Sequence, residues 1–174
     1  HTQSERIKNL VDDLNLTVRL EYEMQPLHLK SFYLSSLIRK VVATTINSSE
    51  DERFSFDLLI NDSLQSFQLT ADESLFERAL FNLINNSIQH NPEGCKIIIT
   101  LETRNKHTVL EVKDTGSGFP NEVLMNLNHS SQMPTGTVHE LGLFIVKQVS
   151  ETSGCQIDFS NWDNGSCTTI IFGD

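Results

Sequence analysis

The chain has 174 residues, enough for one domain with a sizeable core and a short appended element. Its 23 acidic against 13 basic side chains give a net charge of -10, which argues against nucleic acid or an anionic membrane surface as the main partner. Cys95, Cys155 and Cys167 are odd in number and lack metal-ligand spacing, so three buried reduced thiols are expected rather than a disulfide framework or a zinc site. No apolar run is long enough to cross a bilayer and no secretory signal opens the chain, so this fragment reads as cytoplasmic. An ordinary helical run follows His1 without an initiating Met, so the start is expected to lie inside a larger protein or after a cloning remnant.

Ile7, Leu10, Val11, Leu14, Val18 and Tyr22 recur at spacings of three and four and predict an amphipathic helix over 3 to 24, stopped by Pro26. Standing apart from the domain body, it would pack against a partner helix in a bundle or coiled coil. A second amphipathic helix is expected over 34 to 45. Phe54, Phe56 and Leu58, then Phe67 and Leu69 beyond a turn at 61 to 63, alternate with polar positions and predict a hairpin. Thr70 with Glu73 reads as a capping box opening a helix that runs to about His90 and ends before Pro92.

Residues 97 to 101 and 109 to 112 predict two strands about a turn at Asn105 and Lys106. A glycine-containing turn at 114 to 118 follows, then a long loop poor in apolar residues, a helix over 141 to 151, and strands near 156 to 160 and 167 to 172. Helices interspersed with strand pairs predict an α+β two-layer sandwich, its mixed, mostly antiparallel sheet covered by helices on one face.

Three constellations carry chemistry. On the helix ending at His90, Phe76, Ala79, Leu80, Leu83 and Ile84 form the core stripe, while Asn82, Asn86 and Gln89 or His90 share another face. Amide oxygens are hard neutral ligands that suit Mg²⁺ completed by water and phosphate, or else they simply bond a neighbouring loop. Asp114-Thr115-Gly116-Ser117-Gly118 sits at a strand end, where glycines allow a flat ligand to approach and a carboxylate could read an exocyclic amine; a tight turn is the plain alternative. The same Asp-Thr-Gly-Ser matches the aspartic protease signature, whose paired carboxylates share a proton, although that site belongs to an almost wholly β fold. Finally, a loop entering a helix through Leu141, Gly142 and Leu143 would offer N–H groups to a phosphate, unless it is an ordinary apolar helix start.

In order, NLINNSIQHNP, DTGSG and HELGLFIVKQV resemble the N, G1 and G2 boxes of the ATP-binding domain of sensor histidine kinases. The upstream segment ERIKNLVDDLNLTVRLEYEMQPL resembles the second helix of that family's dimerisation domain and its linker. The resemblance divides the chain into 1–26, the end of that helix and the linker, and 27–174, the catalytic domain. It implies the Bergerat fold shared with gyrase and Hsp90, with ATP and Mg²⁺ as cofactors and a lid over the nucleotide. Carried over, Asn86 is the Mg²⁺-binding asparagine, Asn82 its partner one turn earlier, and both are the catalytic pair. Asp114 reads adenine, Gly116 and Gly118 shape the pocket, His90, Leu141, Gly142 and Leu143 line the nucleotide, and Thr168 lies near the adenine.

The implied reaction moves the γ-phosphoryl of ATP to a histidine of the dimerisation domain and then to a response regulator, in a homodimer anchored in the bacterial cell membrane. None of the six histidines stands in the family's acceptor context, so this fragment alone is expected to be inactive. Gln89 replaces a phosphate-binding lysine of many members, Asn128 a phenylalanine, and Val138 and Glu140 the first glycines of the G2 box. The stretch 119–140 has no Lys or Arg. A degenerate nucleotide-binding or scaffolding domain is therefore the alternative to an active kinase.

Overall fold

The computed structural model describes residues 2–48, 51–129 and 138–173. These contain helices α1 (Gln3–Glu21), α2 (Leu34–Ser48), α3 (Glu73–His90), α4 (Asn121–His129) and α5 (Val138–Thr152), and strands β1 (Leu29–Tyr33), β2 (Phe54–Ile60), β3 (Gln68–Asp72), β4 (Cys95–Arg104), β5 (His107–Asp114), β6 (Gln156–Trp162) and β7 (Gly165–Phe172). The main sheet runs β2-β4-β5-β7-β6, parallel only between β2 and β4, so the architecture is the α+β sandwich expected.

Period-two burial on β4 puts Cys95, Ile97, Ile99 and Leu101 on one face. There they join Leu110, Phe159, Ile170 and Phe172 and meet Phe76, Leu80 and Leu83 of α3 and Ile145, Val146 and Val149 of α5. The core stripe predicted on α3 is buried in full. All three cysteines are free and buried, and burial pushes Cys95 and Cys155 up to about 11, which keeps both as unreactive thiols. Asn105 and Lys106 both take positive φ, as a two-residue hairpin turn between right-twisted strands requires.

Several expectations are corrected. The segments around Phe56 and Leu69 form no hairpin: β2 pairs with β4, while β3 pairs with β1, a strand without a predicted counterpart, in a separate two-stranded sheet. Alternation reports that one face of a strand is buried but not which strand lies beside it. Thr70 is no cap. It lies in β3, its hydroxyl 2.9 Å from Ser31 Oγ, and Asp72 caps α3 by accepting from Leu75 N at 3.1 Å and also from His28 N at 3.0 Å. The loop after the glycine turn contains α4, and the helix expected over 141 to 151 begins at Val138. Nor does α1 stand apart: Leu16, Thr17 and Leu20 are buried and the Thr17 carbonyl accepts from Gln148 Nε2 of α5 at 3.1 Å, while Asp13 pairs with Arg78 of α3. The predicted stripe of Ile7, Val11, Leu14, Val18 and Tyr22 is exposed.

On the far face of the sheet, Glu111 is buried between Arg104 (2.8 Å) and Lys113 (2.9 Å). Burial pushes its carboxyl up, but these two cations more than offset that and leave it below the usual range. A depressed folded value means that the unfolded chain binds the proton more readily. The stability supplied by Glu111 is thus complete above the unfolded value of about 4.3 and is lost as pH falls through the folded one. Urea titrations from pH 6 to pH 3 should show a shallower acid loss in Glu111→Gln than in the wild type, and parallel curves would exclude this pair as a source of acid sensitivity.

Candidate functional site

Asp114 ends β5, the central strand of the main sheet, with 3% exposure. One carboxylate oxygen accepts from Gly116 N (3.0 Å) and Ser166 N (3.2 Å), and the other from Ser87 Oγ (2.7 Å) and Ser166 Oγ (2.6 Å). Its backbone carbonyl accepts from Trp162 Nε1 at 2.8 Å. Helix α3 and strands β6 and β7 therefore hold one carboxylate in a single orientation, with all four of its lone-pair positions engaged. No second carboxylate is among these partners, so the proton-sharing pair of an aspartic protease is not formed around Asp114.

The residues after Asp114 fold tightly against neighbouring asparagines. A Cβ on Gly116 would lie 1.9 Å from Asn91 Oδ1, and Ser117 N donates to that oxygen at 3.4 Å, so absence of a side chain, not positive φ, is what position 116 requires. Gly118 does take positive φ, at +82°. Asn161 then grips the exit of the turn, accepting from Phe119 N at 2.7 Å and donating to Phe119 O at 2.8 Å.

Beside this turn lies a cavity of about 290 Å³, at the low end for a small-molecule site. Asn86, His90, Asp114, Gly118 and Leu143 of the predicted residues line it, joined by Asn91, Ser117, Phe119, Pro120, Glu122, Val123, Glu140 and Ser166. Asn82 lies one helical turn away and donates to Gly142 O at 3.3 Å, tying α3 to α5. Leu141 is buried, and Leu141, Gly142 and Leu143 sit inside α5, so their N–H groups belong to the helical ladder; the free N–H groups fall earlier, at the helix start. Thr168 is buried in β7 opposite Val112 and Phe159 and is not among the lining residues, whereas Ser166 is. The expected lid spans 119 to 140, and its part from 130 to 137 lies outside the described residues.

Ser87, Asn91, Phe119, Asn161, Trp162 and Ser166 have site roles without a sequence expectation. Ser87 had a usable signal, being a small polar residue on the buried side of the helix next to Asn86. Ser166 and Trp162 had none, since 52 and 48 residues separate them from Asp114.

A family profile for "Histidine kinase-, DNA gyrase B-, and HSP90-like ATPase" matches residues 71–173, from the end of β3 through β7. The chain belongs to this family. Sensor histidine kinase YvrG of Bacillus subtilis (strain 168) is 30% identical over 176 residues, covering 98% of this chain and 30% of that protein. Acinetobacter baumannii histidine kinase AdeS superimposes with a TM-score of 0.78 at 23% identity, covering 98% of this chain and 80% of that chain. Histidine kinase ThkA, solved in complex with response regulator protein TrrA, gives 0.72 at 23% identity over 98% of this chain and 48% of that one. The chain carries the ATP-binding catalytic domain of a sensor histidine kinase and spans 30 to 36% of the length of three of these curated relatives, YvrG, CreC and QseC.

In this kinase domain the departure at Asn128 has a structural use. Its side chain donates to Phe159 O at 2.7 Å and accepts from Phe159 N at 3.2 Å, docking α4 on the edge strand β6. Lys147 Nζ, 2.6 Å from Leu127 O, joins the same helix to α5. Gln89 is exposed and does not line the cavity, whereas Glu140 does. The site fits a nucleotide with its metal in two respects: Asn86 supplies an oxygen-bearing amide at the cavity wall, and Glu140 Oε2 is a buried oxygen with no hydrogen-bond partner among the described residues.

Proposed function

We propose that this domain binds ATP with Mg²⁺ and transfers the γ-phosphoryl to a histidine on the dimerisation domain of the same protein, for relay to a response regulator. The carrying observation is the convergence of Asn86, Asp114 and Gly118 on one cavity, with Asp114 immobilised at its floor. Because the lone-pair positions of Asp114 are all taken, an exocyclic amine must displace a hydroxyl donor, and Ser87 and Ser166 can each rotate to release one. Asn86, on the cavity wall, orients the metal complex, Asn82 supports it from one helical turn away by tying α3 to α5, and His90 lines the same cavity. Mg²⁺, when bound, neutralises phosphate charge, and catalysis is then mainly positioning.

In this reading residues 1–26 are the end of the dimerisation helix with its linker, and 27–174 the catalytic domain. The exposed stripe of α1 supports that division, since Ile7, Val11 and Val18 have no cover here. The parent protein is a homodimer anchored in the cell membrane, and the isolated domain has no acceptor histidine and so transfers nothing by itself. Among the described residues no helix is long and apolar enough to cross a membrane. ThkA, solved with its response regulator, supports a response regulator as the downstream partner.

Calorimetric titration with an unhydrolysable ATP analogue tests the reading. Binding in Mg²⁺ should weaken by about tenfold or more in Asn86→Ala, one lost ligand being worth about 1.4 kcal/mol or above. Equal affinity of wild type and variant would refute a metal role for Asn86.

A further inference from the structure

We propose that the Glu140 carboxylate is a second protein ligand, beside Asn86, for the divalent cation, so that nucleotide enters this cavity only as its metal complex. The proposal rests on the nucleotide-binding reading above and names a residue that takes the place of a G2-box glycine.

Glu140 lies in the first turn of α5, is 8% exposed, and lines the cavity that Asn86 lines from α3. The two helices are held together close by, where Asn82 donates to Gly142 O. Glu140 Oε2 is buried without a hydrogen-bond partner among the described residues. The positive end of the helix dipole favours a carboxylate there, but it satisfies no particular oxygen, and an unmatched buried oxygen is costly. A cation in the cavity would complete it.

Charge makes the same demand from the ligand's side. The lining includes the carboxylates of Asp114, Glu122 and Glu140, and His90 is the one basic side chain among the described lining residues. A bare polyphosphate entering beside Glu140 meets like charge in a partly desolvated site. Mg²⁺ reverses that interaction, because it binds through one or two carboxylates together with substrate phosphates and retained waters. Among the described residues no group of three His, Cys, Asp or Glu side chains could hold a metal, so the cation depends on the phosphates for its remaining ligands. The metal alone should therefore bind weakly.

Titrations of wild type, Glu140→Gln and Glu140→Gly with the unhydrolysable analogue, in Mg²⁺ and in EDTA, decide the matter, with Mg²⁺ alone as a further titration. In the wild type Mg²⁺ should strengthen nucleotide binding by about 100-fold. Glu140→Gln should cut that ratio about tenfold or more, weakening the Mg²⁺ complex while tightening metal-free nucleotide. Tightening by the same factor with and without Mg²⁺ overturns the proposal, as the carboxylate would then only repel phosphate; an unchanged ratio also overturns it. Should the variants melt early, wild-type affinity that is equal in Mg²⁺ and EDTA is itself sufficient to reject the idea. Absence of nucleotide binding by every form at millimolar concentration instead refutes the nucleotide reading.

Discussion

Asp114→Asn should weaken binding of the ATP analogue about 100-fold, near 3 kcal/mol, while the domain stays folded. The asparagine is isosteric, and the four donors around position 114 dictate how its amide turns. Gly116 N and Ser166 N are fixed backbone donors and demand an oxygen, whereas the hydroxyls of Ser87 and Ser166 can rotate to accept from the new amide nitrogen. The fold should thus lose only about 1–3 kcal/mol. A ligand amine, however, would meet an N–H₂ group where it had met a carboxylate oxygen. Calorimetry paired with a thermal melt separates the two effects, and the ratio of affinities with and without Mg²⁺ should stay at the wild-type value if Asp114 reads the base and Asn86 and Glu140 hold the metal. Undiminished affinity in a folded Asp114→Asn protein would remove Asp114 from the nucleotide site.

Gly165→Ala should be the most damaging single-methyl change near the site. Gly165 adopts φ +144°, a backbone conformation that L side chains rarely adopt, and its added Cβ would lie 2.1 Å from Asp114 O and 2.7 Å from Asp114 Oδ1. Backbone yields poorly, so either β7 shifts or the carboxylate is pushed from its four donors. A cost of about 3 kcal/mol, or roughly 6–12 °C in Tm for a chain of this size, is expected, with nucleotide affinity falling in parallel. Gly142→Ala supplies the contrast. A Cβ there meets nothing nearer than Asn82 at 3.9 Å, and a helical glycine-to-alanine change gains up to about 1 kcal/mol, so its melting point should hold or rise. If the two variants melt alike, close approach to Asp114 is not what position 165 requires.

Periodic elements were legible because their signal is local. The stripe from Phe76 to Ile84 foretold the buried face of α3, and polar residues at Asn105 and Lys106 foretold a turn that both residues make with positive φ. The spacing of Val123, Leu124 and Leu127 after Pro120 was a similar signal for α4, diluted by polar neighbours. The two-residue change at the start of α3, from Thr70 to Asp72, reflects a competition that spacing cannot settle: Thr70 pairs with β1, while Asp72 is drawn into capping by both Leu75 N and His28 N.

By itself, the sequence determined the family through three ordered motifs, the α+β class through its periodicities, and the positions of Asn86, Asp114 and Gly118, which lie on one cavity. Only the tertiary structure decided that β2 pairs with β4, that β3 pairs with β1, that Ser87 and Ser166 complete the setting of Asp114, and that Glu140 faces the cavity with an unmatched oxygen. The physical division is one of range. Backbone periodicity and turn chemistry act over a few neighbouring residues, whereas strand partners and buried hydrogen bonds join groups separated by 27 and 52 residues, whose meeting depends on how the whole sheet and its helices pack.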